Sequence, residues 1–187
     1  MYLYTLPLVF LVAICLYSFS SIAKPSPNVV IPQGKHKKTR LPRMVRNINL
    51  HSFEVTFTES CRYELGNDNQ NDSNKIGGYS VGHHHKNSIR LGWNYNPQKG
   101  LIILRDYRYV NGVRSFKKIG ELPIGEKVYI EISPEPTYLK TKDCRAIHIS
   151  NQALGKGFGY KVNPYFGGQE VAPHKIEILY ENEIFEK

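Results

Sequence analysis

Residues 47–187 are divided into short segments by turn-forming residues, and this spacing is the strongest constraint on the fold. Gly, Pro, Asn or Asp recurs every eight to twelve residues, and the runs between them are rich in Val, Ile, Tyr and Phe. Several runs alternate polar and apolar residues, as strands with one buried face do. No segment carries an apolar stripe of helical period. The pattern predicts an all-β fold, an antiparallel β-sandwich of the jelly-roll kind.

The pair Asn111-Gly112 predicts a β-hairpin between strands at 101–110 and 113–119. A two-residue turn of this kind needs positive φ at both positions, which Asn and Gly tolerate best. Strands at the two ends of a sandwich often pair, so we expect the last segment to lie beside the first. Further strands are predicted where β-forming residues cluster or alternate, at 53–57, 88–95, 128–132, 158–162 and 176–180.

The first 23 residues have the pattern of a secretory signal peptide. No charged residue precedes Lys24, the segment 6–19 is almost entirely apolar, and Ser21 and Ala23 place small residues before a cleavage site after Ala23. The alternative is an uncleaved membrane anchor, although the apolar run is short for a spanning helix. We therefore expect a protein that is secreted, periplasmic or held at the cell surface.

Residues 24–46 concentrate the positive charge. They contain seven Lys or Arg and no acid, whereas residues 47–187 hold the other 18 bases and all 16 acids. Proline and charge oppose packing, so we expect an extended linker that precedes a jelly-roll domain at 47–187. The linker could contact anionic lipid or acidic glycan, or it could be a solvated spacer. A nucleic-acid partner is not expected for an exported chain whose basic charge lies in its leader.

Cleavage would leave two cysteines, Cys61 and Cys144. An oxidising compartment permits a disulfide between them, and two buried free thiols are the alternative. Neither cysteine belongs to a CxxC pair, so we do not expect them to bind a metal ion.

Three adjacent histidines, His83, His84 and His85, precede the strand at 88–95. In an extended chain the first and third face one side and the second faces the other. They therefore cannot all ligate one metal ion without a sharp turn. The spacing of the other histidines and of the acids does not point to a further ligand. We expect neither a metal ion nor a cofactor. The histidines instead bond to nearby backbone at the strand entry, bind a ligand, or exchange protons.

The strand at 88–95 has two distinct faces. Its odd-numbered positions, Ile89 to Tyr95, are all apolar and should face the core, whereas Arg90, Gly92 and Asn94 share the other face. That polar face is either the floor of a groove or a plain solvated surface. Arg105, Tyr107 and Tyr109 should share one face of the neighbouring strand. Tyrosine rings stack on sugar C–H faces and arginine offers forked hydrogen bonds, so the set suits a glycan.

The segment 163–174 holds two prolines and two glycines and predicts a bent loop. Such a loop must bury Tyr165 or Phe166 or offer them to a ligand, and burial is the simpler expectation. No nucleophile elbow, metalloprotease motif or phosphate-binding loop occurs in the chain.

The stretches NDSNKIGGYS, HHHKNSIRLGW, YRYVNG and GYKVNPYFGGQEVAPHKIEI together resemble a group of uncharacterised bacterial exported proteins. That group is associated with a concanavalin-like or laminin-G-like jelly roll, and the resemblance covers about residues 50–183. It implies a β-sandwich and a location outside the cytoplasm. It implies no reaction, so no catalytic residue is carried over.

Three functions fit these observations. The first is an exported, non-catalytic domain that binds a glycan or another surface component. The second is a polysaccharide lyase, in which Arg90 neutralises a uronate carboxylate while a histidine or tyrosine removes the neighbouring proton. The third is a structural envelope protein without a ligand. Arg, His and Tyr close together in one cleft would favour the lyase, and a flat face would favour binding. The candidate ligand-binding residues are His83, His84, His85, Arg90, Asn94, Arg105, Tyr107 and Tyr109.

Overall fold

Twelve strands account for most of the chain that the computed structural model describes, namely residues 28–37, 41–134, 137–141, 147–150 and 154–187. The first six strands are β1 (Val29–Ile31), β2 (Met44–Arg46), β3 (Leu50–Phe57), β4 (Asn74–Ser80), β5 (Ser88–Asn96) and β6 (Leu101–Val110). The others are β7 (Val113–Pro123), β8 (Lys127–Pro134), β9 (Thr137–Thr141), β10 (Ile147–Ser150), β11 (Phe158–Tyr160) and β12 (Ile176–Glu186). Two short 3₁₀ helices, Glu59–Cys61 and Asp68–Asn71, lie between β3 and β4.

The strands form two antiparallel sheets and one small pair. The larger sheet has the order β1-β12-β3-β8-β9-β10, and the smaller has the order β4-β5-β6-β7. Strands β2 and β11 pair with each other. The predicted antiparallel jelly-roll β-sandwich is thus confirmed. None of the helices in the described part of the chain has the length and hydrophobicity needed to cross a membrane.

Aromatic side chains fill the space between the two sheets. The ring of Phe57 on β3 lies 5.0 Å from the ring of Trp93 on β5, and both side chains are fully buried. Gly77 on β4 allows the sheets to approach closely, because a Cβ there would lie 2.9 Å from the Phe53 ring. Truncating a core aromatic of this kind to alanine costs about 3–5 kcal/mol.

The two predicted faces of β5 are confirmed. Ile89, Leu91 and Trp93 are fully buried against the larger sheet, and Arg90 points to the opposite side with Tyr107 as its cross-strand partner. The predicted hairpin is also confirmed, since Asn111 and Gly112 have φ values of 50° and 82° between β6 and β7.

A bulge in β12 reverses the direction of its side chains. The pairing with β3 shifts between Glu181 and Ile184, and Asn182 at the shift has a φ of 52°. Ile178 and Tyr180 face inward before the bulge, and Glu183 and Phe185 do so after it. Bulges often redirect side chains in this way beside functional sites. Here the bulge carries a carboxylate into the interior.

The expectation of an unpacked linker over residues 24–46 is wrong for two segments. Strand β1 pairs with β12, and β2 pairs with β11. Val29, Ile31 and Val45 belong to the hydrophobic core. The segment's proline and basic residues obscured two three-residue strands, which neighbouring strands stabilise by hydrogen bonding and burial.

The first and last strands pair as expected, since β12 lies between β1 and β3. The predicted signal peptide lies outside the described residues. Cys61 is fully buried, with its Sγ 3.6 Å from the carbonyl oxygen of Glu177, and burial raises the pKa of its thiol. Cys144 also lies outside the described residues, so the disulfide stays a prediction.

Candidate functional site

A cleft of about 610 Å³ lies on the outer face of the smaller sheet. Four cationic side chains, three tyrosines and two histidines line it, and none of the described residues that line it is Asp or Glu. Its floor is formed by Lys75, Arg90 and Tyr107 on three neighbouring strands. A concave site with this composition suits an anionic ligand that also has apolar faces.

The segment that follows β11 forms one wall of the cleft, because it runs along the free edge of β4. The backbone N–H of Val162 donates to the carbonyl of Gly78 (2.9 Å), and that of Tyr165 donates to the carbonyl of Lys75 (2.9 Å). These bonds bring Tyr160, Lys161 and Tyr165 to the site. The wall explains why the outer face of β5 is buried rather than solvated.

Arg90 is the most unusual group in the cleft. It is only 5% exposed, and its buried Nε has no hydrogen-bond partner among the described residues. The guanidinium carbon lies 4.8 Å from the centre of the Tyr107 ring, and no carboxylate among the described residues pairs with it. Burial lowers the pKa of Arg90, while the neighbouring tyrosines raise it. A buried, unpaired guanidinium is costly unless a ligand pairs with it.

Arg90 has room because its partner on β4 is a glycine. A Cβ on Gly78 would lie 2.6 Å from the Cα of Arg90 and 2.9 Å from its Cγ. Gly78 also has a φ of 139°, which other residues rarely adopt. Any larger residue at this position would displace the arginine from the cleft floor.

Lys75 is a second cation without a carboxylate partner among the described residues. Its Nζ lies 3.3 Å from the carbonyl oxygen of Gly167 and 4.7 Å from the centre of the Tyr107 ring. Burial, reinforced by the charge of Arg90, lowers the pKa of Lys75 to about 8. The ammonium is therefore charged at neutral pH but loses its proton more easily than an ordinary lysine.

His84 and Tyr160 form a hydrogen-bonded pair at the mouth of the cleft. The His84 Nδ1 lies 2.5 Å from the Tyr160 hydroxyl oxygen, which also accepts the backbone N–H of His84 at 3.3 Å. Burial, followed by the charges of His85 and Arg90, lowers the pKa of His84 to about 4. The imidazole is therefore neutral at neutral pH, and in the tautomer protonated at Nε2 its Nδ1 accepts the tyrosine proton.

Lys161, unlike Lys75, has a carboxylate partner. Its Nζ lies 2.6 Å from Glu183 Oε2, and the other oxygen of Glu183 contacts Tyr180 Oη (2.7 Å) and His51 Nε2 (3.0 Å). Burial raises the pKa of Glu183, but hydrogen bonds from His51, Lys161 and Tyr180 outweigh this effect and hold it at about 2. The bulge in β12 thus points Glu183 inward, where its carboxylate forms an ion pair with Lys161.

The predicted residues separate into three groups. His84, His85, Arg90 and Tyr107 line the cleft. Tyr109 lies at its rim, with its ring 5.2 Å from that of His85, and His83 is exposed and stacks on His84 at 4.9 Å. The third group is Asn94 and Arg105, which lie away from the cleft.

Asn94 and Arg105 hold a neighbouring loop instead. Arg105 Nη1 donates to Asn94 Oδ1 and to the carbonyl oxygen of Asn71, at 3.1 Å for the second bond. Asn94 is fully buried beneath this loop. Both side chains therefore have protein partners where the sequence pattern predicted a ligand.

Sequence reasoning missed Lys75, Tyr160 and Lys161 as site residues. The segment 163–174 is only partly as expected, since Phe166 is buried whereas Tyr165 lines the cleft. The stretch GYKVNPYFGG, which contains Tyr160, Lys161 and Tyr165, is the sequence signal for this wall of the cleft. The sequence does not reveal which distant residues its polar and aromatic side chains contact. In the described part of the chain, no three His, Cys, Asp or Glu residues are grouped to hold a metal ion.

Comparison with known proteins identifies the architecture. No protein-family model and no curated protein sequence matches the chain. Among solved structures, a polysaccharide lyase of family 18, aly-SJ02, superposes with a TM-score of 0.53 at 9% identity, covering 88% of this chain and 89% of the lyase. The carbohydrate-binding module CBM66 from Bacillus subtilis has a TM-score of 0.38 at 14% identity, covering 81% of this chain and 86% of the module.

Congerin II, solved as a single mutant, has a TM-score of 0.40 at 10% identity, covering 78% of this chain and all of congerin. At such low identities a shared structure shows the fold alone. Of these three structures, the lyase superposes with a TM-score above 0.5, which indicates a shared overall fold. The chain is therefore similar in architecture to a polysaccharide lyase and has the fold of a jelly-roll β-sandwich.

Proposed function

We propose that the cleft binds a uronate-containing polysaccharide and cleaves it by β-elimination. The observation that carries this proposal is the buried guanidinium of Arg90, which has no carboxylate partner among the described residues and lies in one cleft with the Tyr160–His84 pair. A sugar carboxylate would supply the missing counter-charge. The same carboxylate makes the neighbouring C–H bond acidic enough for elimination.

The reaction needs a cation for the carboxylate and a group that moves a proton. Arg90 and Lys75 would stabilise the negative charge that develops on the carboxylate as the C5 proton leaves. The C5–H electron pair forms the C4=C5 double bond, and the C4–O bond to the next sugar breaks. The Tyr160–His84 pair takes the C5 proton and gives a proton to the leaving oxygen, so the pair is regenerated and no water is consumed.

The pKa values support these roles. His84, with a pKa of about 4, is neutral at neutral pH and can accept the Tyr160 proton as the phenol oxygen takes the C5 proton. Lys75, with a pKa of about 8, is still charged under the same conditions. We expect the activity to fall below about pH 4 and above about pH 8 for these two reasons.

The test is a panel of uronate polymers and neutral polysaccharides incubated with the full chain. Cleavage is read from the ultraviolet absorbance of new unsaturated ends, and binding is read from retention on immobilised polymer. Unsaturated ends on a uronate polymer support the lyase. Retention without cleavage makes the domain a binding module, and no signal on any polymer leaves a structural envelope role.

A variant pair separates chemistry from binding. Tyr160→Phe keeps the ring but removes the hydroxyl, so we expect turnover to fall by about a hundredfold or more while retention is unchanged. Tyr129→Phe on β8, in the larger sheet, is the matched control and should leave both unchanged. Full turnover in the Tyr160→Phe variant would remove the Tyr160–His84 pair from the mechanism.

We also propose that the protein acts outside the cytoplasm, where extended acidic polysaccharides occur. The signal-peptide pattern of residues 1–23 supports this location. Amino-terminal sequencing of the exported protein should begin at Lys24. A sequence that begins at Met1 would contradict cleavage.

A further inference from the structure

A second, smaller cavity of about 140 Å³ adjoins the cleft on the side of β7. It shares Lys75, Tyr107 and Gly168 with the cleft, so the two spaces are neighbours on one surface. Its own walls include Asp72, Arg114 and Phe116. The sequence pattern did not predict Arg114 or Phe116 as site residues.

Phe116 continues the aromatic surface of the cleft floor. It is the cross-strand partner of Tyr107, and the two rings are nearly parallel, at 13°, with centres 6.4 Å apart. Phe116 is 55% exposed, whereas Tyr107 is 7% exposed. Arg90, Tyr107 and Phe116 therefore form a row across three adjacent strands, which lie about 4.8 Å apart.

Charges of both signs border the exposed ring. The guanidinium carbon of Arg114 lies 6.0 Å from the centre of the Phe116 ring, and no carboxylate among the described residues forms an ion pair with it. Asp72 lines the same cavity, with its carboxylate close to Gly168. An aromatic ring that shares a cavity with a carboxylate, and with a cation that forms no ion pair among the described residues, matches a sugar with an apolar ring face, a carboxylate and hydroxyl groups.

We propose that this second cavity is an adjoining subsite, which binds the next uronate residue of the chain held in the cleft. The sugar ring stacks on Phe116, its carboxylate pairs with Arg114, and a hydroxyl donates to Asp72. This inference rests on the proposed function, because it assumes an anionic polysaccharide in the cleft. It adds that the ligand is an extended polymer lying across the strands toward β7.

The test measures the dissociation constant of the full chain for uronate oligomers of increasing length by calorimetry, at neutral pH, with and without Phe116→Ala. We expect the variant to bind the shortest oligomer as the wild type does, and longer oligomers about three- to tenfold more weakly. Arg114→Ala should show the same dependence on length. Phe116→Leu should behave as Phe116→Ala does, because it keeps the apolar bulk but removes the flat ring.

Phe158→Ala is the matched control. Phe158 is also exposed, at 63%, and also lies beneath an arginine, with Arg46 at 4.4 Å, but it lines neither cavity. Its removal should leave the affinity for every length unchanged. The subsite is refuted if Phe116→Ala weakens all lengths equally or none of them.

The two proposals fail in different ways. If the wild type binds no uronate oligomer of any length, the proposed function fails and the subsite fails with it. If the wild type binds oligomers but its affinity does not rise with their length, the subsite alone is refuted. Because Phe116 is an exposed residue on an edge strand, the variants should fold as the wild type does, and circular dichroism checks this.

Discussion

Arg90 and Arg105 project from the same face of the smaller sheet, yet their surroundings differ. Arg105 donates to Asn94 and to the backbone of Asn71, and these bonds hold a surface loop. The guanidinium of Arg90 lies over two tyrosine rings, and its buried Nε has no hydrogen-bond partner among the described residues. Arg105 therefore stabilises the protein's own structure, whereas Arg90 is available to bind a ligand.

The same contrast separates two lysines of the cleft. Lys161 is paired with Glu183, whereas Lys75 contacts a backbone carbonyl and two aromatic rings and forms no ion pair with a carboxylate among the described residues. A cation that is already paired contributes little to binding an anion, because its field is largely cancelled. We therefore assign ligand attraction to Arg90 and Lys75 and structural roles to Arg105 and Lys161.

Replacing each arginine separately with alanine is the most direct test of this difference. Arg90→Ala should weaken binding of a uronate oligomer by about ten- to a hundredfold, because it removes a charge-assisted contact. Arg105→Ala should instead lower the free energy of unfolding by about 1–2 kcal/mol, because Asn94 loses its partner. Calorimetry and urea unfolding of both variants measure the two effects. Equal affinity losses in both variants would contradict the division of roles.

Glu183→Gln tests the paired cation. The pKa of Glu183 is about 2, against its usual 4.5, so its ionised form stabilises the folded state above about pH 4.5. The shift corresponds to about 3 kcal/mol, and we expect the variant to lose up to this amount at neutral pH. Since this stability disappears as the pH falls toward about 2, the difference between variant and wild type should narrow in acid.

The control for Glu183 is Glu181→Gln on the same strand. Glu181 pairs with Lys127 at 2.9 Å in a partly exposed position at the surface, where an ion pair is worth about 0–1 kcal/mol. Urea unfolding at several pH values compares the two. If the Glu181 variant loses as much free energy of unfolding as the Glu183 variant, the hydrogen-bonded network around Glu183 contributes no more than a surface ion pair.

The pH dependence of binding tests Lys75. Its pKa of about 8 means that the ammonium is charged below this pH and neutral above it. Affinity for a uronate oligomer should therefore fall by about tenfold as the pH rises through about 8. Lys75→Arg keeps the charge and should remove this decline. A decline of the same size in the Lys75→Arg variant would show that another group titrates.

Within the histidine triplet, we expect the smallest effect at His83. Among the described residues, the exposed ring of His83 packs against His84 and His85, whereas His84 bonds to Tyr160. His83→Ala should change stability by no more than about 0.5 kcal/mol and leave uronate cleavage unchanged. His84→Ala should abolish most of the cleavage. Cleavage assays on the two variants show whether adjacent histidines have separate roles.

Local pattern was enough to predict most strands. The alternation in 88–95 identified the core face of β5, and Asn111-Gly112 identified the hairpin, because side-chain direction in a strand and the φ of a tight turn depend on near neighbours alone. Strands β1, β2, β4, β9 and β10 were not predicted. For β1 and β2, three residues within a basic, proline-containing segment carry too little pattern. Their stability comes from partners distant in the sequence, such as Ile178 opposite Val29.

The site was predictable only in part, for the same reason. The sequence predicted that Arg90 and Asn94 share one face of β5, because strand periodicity decides which side chains of a strand point together. It predicted in the same way that Arg105 and Tyr107 share one face of β6. Only the tertiary structure decided that residues 160–165 would run along β4, closing the cleft and bringing Tyr160 to His84. The tertiary structure also decided that Asn94 and the backbone of Asn71 accept hydrogen bonds from Arg105, whereas no carboxylate among the described residues pairs with Arg90. Contacts between segments 70 or more residues apart depend on how the sheets pack, and no local pattern encodes them.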